Sequence, residues 1–248
     1  MFSLTVYLGS TPWRVIPGIS INLDSGNVLW SISPGGAIWF WQNSDFILIT
    51  GLLSQISSGK SGVWGINVHD QIYMRLGVTE ANPAGYGWLL IAGALEQITC
   101  GEPGVVYGVA WDRLMYCRLG ISANLLQGNA WRRLPDNNFI YVACGKFGCW
   151  AIKADNTIAF RTGVTAESCE GEAWEVVDGS LKQLDVGPHG EVCGLDLNGK
   201  LWCRVGIMVE NPSGEYWSGV ENVVFKHISI GESNLFGVVQ DGTIYAMP

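Results

Sequence analysis

The stretch from Trp174 to Ile207 decides the fold, and it reads WEVVDGSLKQLDVGPHGEVCGLDLNGKLWCRVGI. It contains four short runs of β-type residues, which are separated by Gly or other turn residues. The runs are Trp174–Val177, Leu181–Val186, Glu191–Leu197 and Lys200–Val205. Asn198-Gly199, between the last two runs, predicts a two-residue hairpin because both residues tolerate positive φ. Helical periodicity with capping residues is absent, so the stretch predicts one four-stranded antiparallel unit.

The same pattern recurs along the chain with a step of 43 residues. Three residue types keep this step: a Trp, an Arg, and a Gly two residues after the Arg. The three series are Trp88, Trp131, Trp174 and Trp217; Arg75, Arg118, Arg161 and Arg204; and Gly77, Gly120, Gly163 and Gly206. Chance does not produce three series in phase, so the chain is built from repeats. The units span roughly 13–44, 45–87, 88–130, 131–173, 174–216 and 217–248.

Four strands in each repeat of about 43 residues indicate a β-propeller. We therefore predict an all-β fold, in which residues 1–248 form a single six-bladed propeller of four-stranded antiparallel blades. The run Trp13–Ile16 matches the outer strand of a unit, while the last unit ends after its third strand. The N-terminal run is expected to complete the last blade and close the ring. Phe2–Leu8 also alternates, which predicts either an added edge strand or a contact in a homo-oligomer.

Composition excludes several classes of function. The chain has 14 Lys and Arg against 22 Asp and Glu, a net charge of −8, which argues against binding to a nucleic-acid backbone. The longest apolar runs, such as Gly87–Ala94, are too short to cross a bilayer, so no membrane insertion is expected. Met1–Pro12 lacks the features of a signal peptide. The expectation is therefore a cytoplasmic protein, with secretion as the alternative.

The seven Cys residues support the same expectation. A two-residue turn at Asn198-Gly199 would place Cys193 and Cys203 on opposite faces of their hairpin, where they cannot bond. Cys144 with Cys149 is the one local candidate for a disulfide, across a turn. The odd count and the poor pairing favour mostly free, packed thiols in a reducing compartment. The seven are Cys100, Cys117, Cys144, Cys149, Cys169, Cys193 and Cys203.

No motif for a metal or a cofactor is present in the sequence. His69, His189 and His227 lie in different units, and neither a Cys-x-x-Cys motif nor an Asp-rich calcium loop occurs. We therefore predict that the protein holds neither a metal nor a cofactor, and that it has no catalytic residues.

The repeated motifs G-x-L-x-Q-I, G-V-x-G-[IV] and I-Y-x-R-x-G-V, followed by W, resemble tectonin repeats. The resemblance covers nearly the whole chain. It implies a propeller lectin similar to slime-mould and fungal tectonins, tachylectin-type lectins and fish egg lectins. Such lectins bind cell-surface glycans of bacteria or other organisms, including lipopolysaccharide and O-methylated sugars, and some serve in innate defence. The first and last units depart from the pattern, with Trp41 and Met247 in place of Arg, and Asp45 replaces the leading Trp of the second.

Two other functions compete with the lectin hypothesis. A propeller could be a protein-interaction scaffold without sugar binding. Sialidases are also six-bladed, and Gln240–Tyr245 resembles part of their Asp-box, although the upstream Ser is missing. A sialidase gathers three Arg around one carboxylate. Here one Arg per blade is spread by symmetry about 60° apart, which argues against an active site and for repeated shallow sites.

The candidate ligand-binding residues are the phased Arg and Trp and two loop residues. A Trp face covers the apolar face of a sugar, and Arg or Asn bonds its hydroxyls. Alternatively, each Trp is a wedge between blades, and each Arg pairs with a carboxylate or carbonyl of a neighbouring blade. The candidates are Arg75, Trp88, Arg118, Trp131, Arg161, Trp174, Arg204, Trp217, Asn82 and Asn211.

Overall fold

A computed structural model describes residues 13–26, 28–102 and 104–248, with the backbone alone at 221–223. In these residues, 24 strands form six antiparallel sheets of four strands, as predicted. Blade 1 contains β2 (Asn22–Asp24), β3 (Trp30–Ile32), β4 (Ala37–Gln42) and β5 (Asp45–Leu52). Blade 2 contains β6 (Gln55–Gly59), β7 (Gly62–Ile66), β8 (Gln71–Leu76) and β9 (Gly87–Ala94). Blade 3 contains β10 (Gln97–Gly101), β11 (Val105–Val109), β12 (Met115–Leu119) and β13 (Ala130–Arg133).

The remaining three blades repeat this arrangement. Blade 4 contains β14 (Phe139–Gly145), β15 (Gly148–Lys153), β16 (Thr157–Arg161) and β17 (Trp174–Ser180). Blade 5 contains β18 (Gln183–Val186), β19 (Val192–Leu195), β20 (Lys200–Val205) and β21 (Tyr216–Val224). Blade 6 contains β22 (His227–Ile230), β23 (Leu235–Val238), β24 (Thr243–Met247) and β1 (Arg14–Ile19). The first strand of each set is innermost. No helix in the described ranges is long and apolar enough to cross a membrane.

The N-terminal strand closes the ring, which confirms the prediction from Trp13–Ile16. β1 pairs antiparallel with β24, so that Arg14 faces Ala246 and Ile16 faces Ile244. The outer strand of blade 6 thus comes from the opposite end of the chain to its other three strands. Phe2–Leu8, predicted as an edge strand or a subunit contact, lies outside the described residues.

The sequence repeats are offset from the blades by one strand. The unit that starts at Trp88, for example, begins in β9, the outer strand of blade 2, and continues into the inner strands of blade 3. Each repeat therefore contributes strands to two neighbouring blades. This offset links adjacent blades covalently, so that every blade interface lies inside one repeat.

A belt of hydrogen bonds joins the inner strands around the central channel. The Gln55 side chain accepts from the backbone N–H of Ile98 (2.9 Å) and donates to its carbonyl (3.2 Å). Gln97 bonds Val142 in the same way, and Gln183 bonds Ile228. The Gln of the repeated G-x-L-x-Q-I motif is therefore a bridge to the inner strand of the next blade.

Below this belt, six glycines let the inner strands approach one another closely. A Cβ at Gly59 would overlap the carbonyl of Cys100, and a Cβ at Gly101 would overlap that of Cys144. Gly26 and Gly231 meet the carbonyls of Ser58 and Ser25 in this way, whereas a Cβ at Gly145 or Gly187 would overlap the side chain of Val186 or Ile230. The set is Gly26, Gly59, Gly101, Gly145, Gly187 and Gly231. Only a residue without a side chain fits at such an approach, so these positions fix the spacing of the ring.

The turn at Asn198-Gly199 is one residue longer than predicted, and this changes the pairing of two cysteines. Asp196 and Lys200 close the turn, with Gly199 at a φ of 83° between them. The added residue shifts the register by one place, which reverses the face on which every side chain lies. Cys193 therefore lies directly opposite Cys203, and the two form a disulfide. The prediction that they cannot bond is wrong.

Two further disulfides overturn the expectation of mostly free thiols. Cys117 bonds Cys169, and Cys144 bonds Cys149, the pair that the sequence singled out as a local candidate. Among the described cysteines, the buried Cys100 is free. Three disulfides fit an oxidising, extracellular environment, so the expected cytoplasmic location is not supported.

Candidate functional site

The four phased arginines hold the loops that follow them. Their side chains are almost fully buried, and those of Arg161 and Arg204 are 4% and 5% exposed. Each Nε donates to a backbone carbonyl nine residues further along the chain. The bonds are Arg75 to Ala84 (2.7 Å), Arg118 to Gln127 (2.8 Å), Arg161 to Glu170 (3.0 Å) and Arg204 to Ser213 (2.9 Å). The same contact recurs in four blades, and in each blade it fixes the conformation of the loop that follows the arginine.

Each arginine also stacks on the tryptophan of the adjacent outer strand. Arg75 faces Trp88 across the strand pair β8–β9, and its Cζ lies 5.0 Å from the centre of the indole ring. The equivalent distances are 5.0 Å at Arg118–Trp131, 5.4 Å at Arg161–Trp174 and 5.3 Å at Arg204–Trp217. In the first blade Trp41 faces Phe46 instead, with ring centres 4.8 Å apart. The cation–π contact therefore fixes the orientation of each indole.

Three of the tryptophans connect neighbouring blades. The indole N–H of each donates to a carbonyl on the outer strand of the preceding blade. The bonds are Trp88 to Thr50 (2.9 Å), Trp131 to Ala92 (3.0 Å) and Trp217 to Asp178 (2.8 Å). The fourth, Trp174, has a buried indole nitrogen without a partner in the described part of the chain. Two arginines also contact carboxylates across a blade interface, Arg204 to Asp178 at 2.6 Å and Arg161 to Asp136 at 3.8 Å.

A glycine beside each of the three bonded tryptophans admits the indole. Gly93 has a φ of 129°, and a Cβ there would lie 3.0 Å from Nε1 of Trp131. Gly51 lies in the same position against Trp88, and Gly179 against Trp217. The position that corresponds to Gly93 before Trp174 is Asp136, which is five residues after Trp131 as Gly93 is after Trp88, and which does not have a positive φ. This interface therefore lacks the positive-φ glycine that admits the indole at the other three.

A cavity of about 260 Å³ opens at the interface between blades 2 and 3. Its aromatic walls come from Trp111, Tyr116 and Trp131 of blade 3, and Gly93–Leu95 of blade 2 lie opposite them. Trp111 is in the turn between β11 and β12 and is 72% exposed. Ile72, Ala110 and Asp112 complete the lining. We call this cavity the 2/3 cleft.

The interfaces 1/2 and 4/5 have the same plan with different residues. An aromatic residue from the third strand lies beside the Trp, and an exposed apolar residue stands in the neighbouring turn. At 1/2 these are Tyr73, Trp88 and Val68; at 4/5 they are Trp202, Trp217 and Leu197. At 3/4 both equivalents are alanines, Ala159 and Ala154. Three of the repeat interfaces therefore keep this aromatic set, and the 3/4 interface does not; we call the equivalent surfaces at 1/2 and 4/5 the 1/2 cleft and the 4/5 cleft.

The predicted site residues thus fall into two groups. The tryptophans lie at the blade interfaces, where Trp131 lines the cleft, while the arginines lie behind them and contact the chain itself. Asn82 and Asn211 lie in the loops after the arginines, where their backbones pair with Thr79 and Met208. Trp111 and Tyr116 were missed because they are not shared by all repeats. A Trp in a hairpin turn, beside a polar Asp, is the signal that could have found Trp111.

No group of three or more His, Cys, Asp or Glu side chains in the described ranges is placed to hold a metal ion. The buried polar groups lie instead around the channel, where burial and the charge of Asp24 raise the pKa of Asp185 from its usual 3.8 to about 7. Asp185 accepts a hydrogen bond from the backbone N–H of Ile230 at 2.7 Å. It therefore links blades 5 and 6, away from the clefts.

Comparisons with known proteins agree with this architecture. A family model for the tectonin domain matches residues 34–140 and 136–241. A fish-egg lectin from Cyprinus carpio is 27% identical over 160 residues, which cover 60% of this chain and 64% of that protein. The 31 kDa subunit of perivitellin-2 from Pomacea maculata is 31% identical over 86 residues, which cover 32% of this chain and 30% of that subunit. The chain spans less than two thirds of each of these curated relatives.

Solved structures show the same fold at low identity. Human WBSCR16 superposes with a TM-score of 0.60 at 13% identity, over 94% of this chain and 77% of that chain. Yeast RCC1 (Prp20), in its complex with Kap60, superposes with a TM-score of 0.57 at 13% identity, over 90% and 68%. These likenesses extend to the propeller and not to a function.

Proposed function

This chain belongs to the tectonin family, and from that we propose that it is a multivalent lectin whose sugar sites are the clefts between neighbouring blades. The observation that carries the proposal is the 2/3 cleft, in which three aromatic side chains surround a cavity of about 260 Å³. Sugars present apolar C–H faces and hydroxyls, which suit aromatic walls with a few polar atoms at the rim. The carp relative is itself named a lectin.

The phased Arg–Trp pairs act in this proposal as the frame of the sites. Trp88, Trp131 and Trp217 form cleft walls, and the arginines behind them keep the indoles in one orientation. Preorganised walls reduce the entropy lost when a ligand binds. Trp174 and Arg161 form the same pair at 3/4 without an aromatic cleft. Asn82 and Asn211 stay predicted contacts for parts of a glycan that extend beyond a cleft.

Similar clefts on one rigid ring favour a repeated ligand. Each cleft is small, so each contact with one sugar is expected to be weak. Linked sites raise avidity by roughly 10²–10⁴ when their geometry matches that of the ligand. The ligands we propose are cell-surface glycans of bacteria or other organisms, including lipopolysaccharide and O-methylated sugars. Such a protein would act outside the cell, in innate defence, by binding alone and without turnover.

A glycan array followed by crystal soaks tests the proposal. We expect sugar hits on the array, and ligand density in the clefts at 1/2, 2/3 and 4/5. Density in the central channel, or an array without hits, would overturn it. A protein partner recovered in the absence of any sugar hit would favour the interaction scaffold instead.

A further inference from the structure

The three aromatic clefts differ in whether their polar atoms are already bonded within the chain. In the 4/5 cleft, the indole N–H of Trp202 donates to Oδ2 of Asp196 at 3.2 Å, and Oδ1 of Asp196 accepts two backbone N–H groups of its turn. In the 1/2 cleft, the Tyr73 hydroxyl donates to Gln71 at 3.3 Å, and Gln71 also accepts from Asn67 at 2.8 Å. Both clefts therefore satisfy their own polar groups.

In the 2/3 cleft the corresponding groups are free. Ala110 occupies the position of Asn67 and Asp196, and Leu114 occupies that of Gln71, so neither position offers an acceptor to the aromatic residue beside it. The Tyr116 hydroxyl consequently has no hydrogen-bond partner among the described residues. The same alanine is part of the lining of the open cavity. A ligand that enters here can bond these groups without breaking a hydrogen bond within the chain.

The charge in this cleft has one sign. Asp112 is the one carboxylate in the lining, which contains no Lys, Arg or His, and its Oδ1 accepts from the backbone N–H of Leu114 at 3.1 Å, which leaves Oδ2 without a partner in the described part of the chain. Arg113 next to it donates to Asn138 at 3.3 Å and is not part of the lining. A carboxylate that lines a cavity without a cation in the same lining repels an anionic ligand there and attracts an amine or a hydroxyl.

We propose that the 2/3 cleft is the dominant sugar site of this chain, that Trp111 and Tyr116 bind the ring, and that Asp112 selects neutral or amine-bearing sugars against anionic ones. This inference rests on the proposed lectin function and deepens it. The 1/2 and 4/5 clefts then add avidity with weaker contacts. Anionic glycans would be recognised only through a neutral or amine-bearing residue that they also contain.

The first experiment separates the clefts. Titration calorimetry with methyl glucoside, methyl mannoside and methyl galactoside identifies the neutral ring that the wild type binds best. Trp111→Ala should weaken its binding about tenfold through loss of the stacking face. Tyr116→Phe, which removes one oxygen atom, should weaken it about fivefold. The matched control is Leu197→Ala, at the same place in the 4/5 turn, where the side chain is 60% exposed; it should leave the tighter site unchanged.

The second experiment tests the charge. For the preferred ring, the amino sugar and the uronate are titrated beside the neutral glycoside. The wild type should bind the neutral and amino forms and discriminate against the uronate. Asp112→Asn keeps an acceptor for Leu114 and removes the charge, so it should raise the affinity for the uronate about fivefold, as expected for one charge about 4 Å away in water.

The outcomes separate this inference from the proposed function. A wild type that binds no sugar, here or on the array, ends both. Binding that survives Trp111→Ala and Tyr116→Phe but falls in Leu197→Ala leaves the lectin in place and overturns the choice of cleft. Equal affinity for uronate in the wild type and in Asp112→Asn overturns the charge selection. Because Trp111 is exposed, an unchanged melting temperature will show that its variant is folded.

Discussion

At the interface between blades 2 and 3, the indole of Trp131 donates to a carbonyl of the preceding blade, and a cleft remains open beside it. At the interface between blades 3 and 4, the equivalent Trp174 has no acceptor in the described part of the chain, and alanines stand in place of the cleft aromatics. The two interfaces arise from the same repeat.

A covalent bond crosses the second interface instead. Cys117 of blade 3 is joined to Cys169 in the loop that follows β16 of blade 4. The Tyr107 hydroxyl of blade 3 donates to the carbonyl of Cys169, and within blade 4 Phe139 packs against Trp174 with ring centres 4.8 Å apart. Where the chain has lost the inter-blade hydrogen bond, a disulfide and a larger apolar cluster hold the blades together.

The comparison shows that one repeat supports two uses. An interface held by a single hydrogen bond leaves room for a ligand, whereas an interface that is packed and bonded covalently does not. The difference depends on a few residues of the preceding blade, chiefly Gly93 against Asp136. Binding sites are therefore expected at the interfaces that the disulfide does not cross.

The largest expected effect is the loss of the 3/4 disulfide. Replacing Cys117 and Cys169 together by Ser should lower the free energy of unfolding by about 4 kcal/mol, the chain-entropy cost of a loop of about 50 residues. Denaturant unfolding of the purified variant measures this change. Cys100→Ser is the control, because Cys100 is not in a disulfide. A loss below about 1 kcal/mol would show that packing alone holds this interface.

Equivalent glycine-to-alanine substitutions in the inner strands should lower the stability of the protein by similar amounts at the 2/3 and 3/4 interfaces. Gly59→Ala places a methyl group against Cys100 at the 2/3 interface, and Gly101→Ala places one against Cys144 at 3/4. Because the obstacle is backbone in each case, both changes should destabilise by about 3 kcal/mol. Thermal unfolding of the two variants checks this expectation. A large difference between them would mean that the two interfaces also diverge at the channel.

The fold was predictable because the repeat is regular in the outer part of each blade. The step of 43 residues links the Arg and Trp series, and Trp13–Ile16 identified the strand that closes the ring. The glycines of the channel were missed because turns of unequal length precede them. Gly59, Gly101 and Gly145 are 42 and 44 residues apart, so they fall outside the phased series.

The cleft could not be found by the same reasoning, because it depends on where the repeat varies. Trp111 stands in a turn position that is Val, Ala or Leu in other blades, and Ala110 matters for the atoms that it lacks. The disulfide at Cys193 was missed because the turn is one residue longer than the Asn198-Gly199 motif indicates. A search for residues shared by the repeats finds the Arg and Trp that support the clefts. The residues that form the proposed binding surface are those that differ between blades.

A smaller effect should distinguish the two tryptophans. Trp131→Phe removes a hydrogen bond to Ala92, whereas Trp174→Phe removes a buried N–H without a partner in the described residues. Both changes lose similar ring area, so the difference between them isolates the hydrogen bond. Trp131→Phe should cost about 1 kcal/mol more in urea unfolding. Equal losses would indicate that Trp174 also has an acceptor, such as a bound water.

The smallest effect is expected when the stability of the wild type is measured against pH. Asp185 and His227, at the interfaces of blade 6, have pKa shifts whose effects on stability oppose each other. Burial, reinforced by Asp24, raises the pKa of Asp185 to about 7, so its contribution to stability grows as the pH falls from 7 towards 4. Burial lowers the pKa of His227 from its usual 6.5 to about 4, so its contribution is lost as the pH falls through the same window. At the 2/3 and 3/4 interfaces the inner strands are joined by Gln55 and Gln97, whose side chains do not titrate.

Single substitutions should reveal each of these two groups. Melting temperatures at pH 7.5 and pH 4.5 should differ little in the wild type because the two contributions offset each other. In His227→Gln the melting temperature should rise on acidification, since the carboxyl contribution remains alone. In Asp185→Asn it should rise less or fall, because His227 is then opposed only by Asp24, whose pKa is also raised by burial. Parallel curves for the two variants would contradict this account. They would place the titrating groups outside the interfaces of blade 6, leaving its contacts no more sensitive to pH than those of blades 2 to 4.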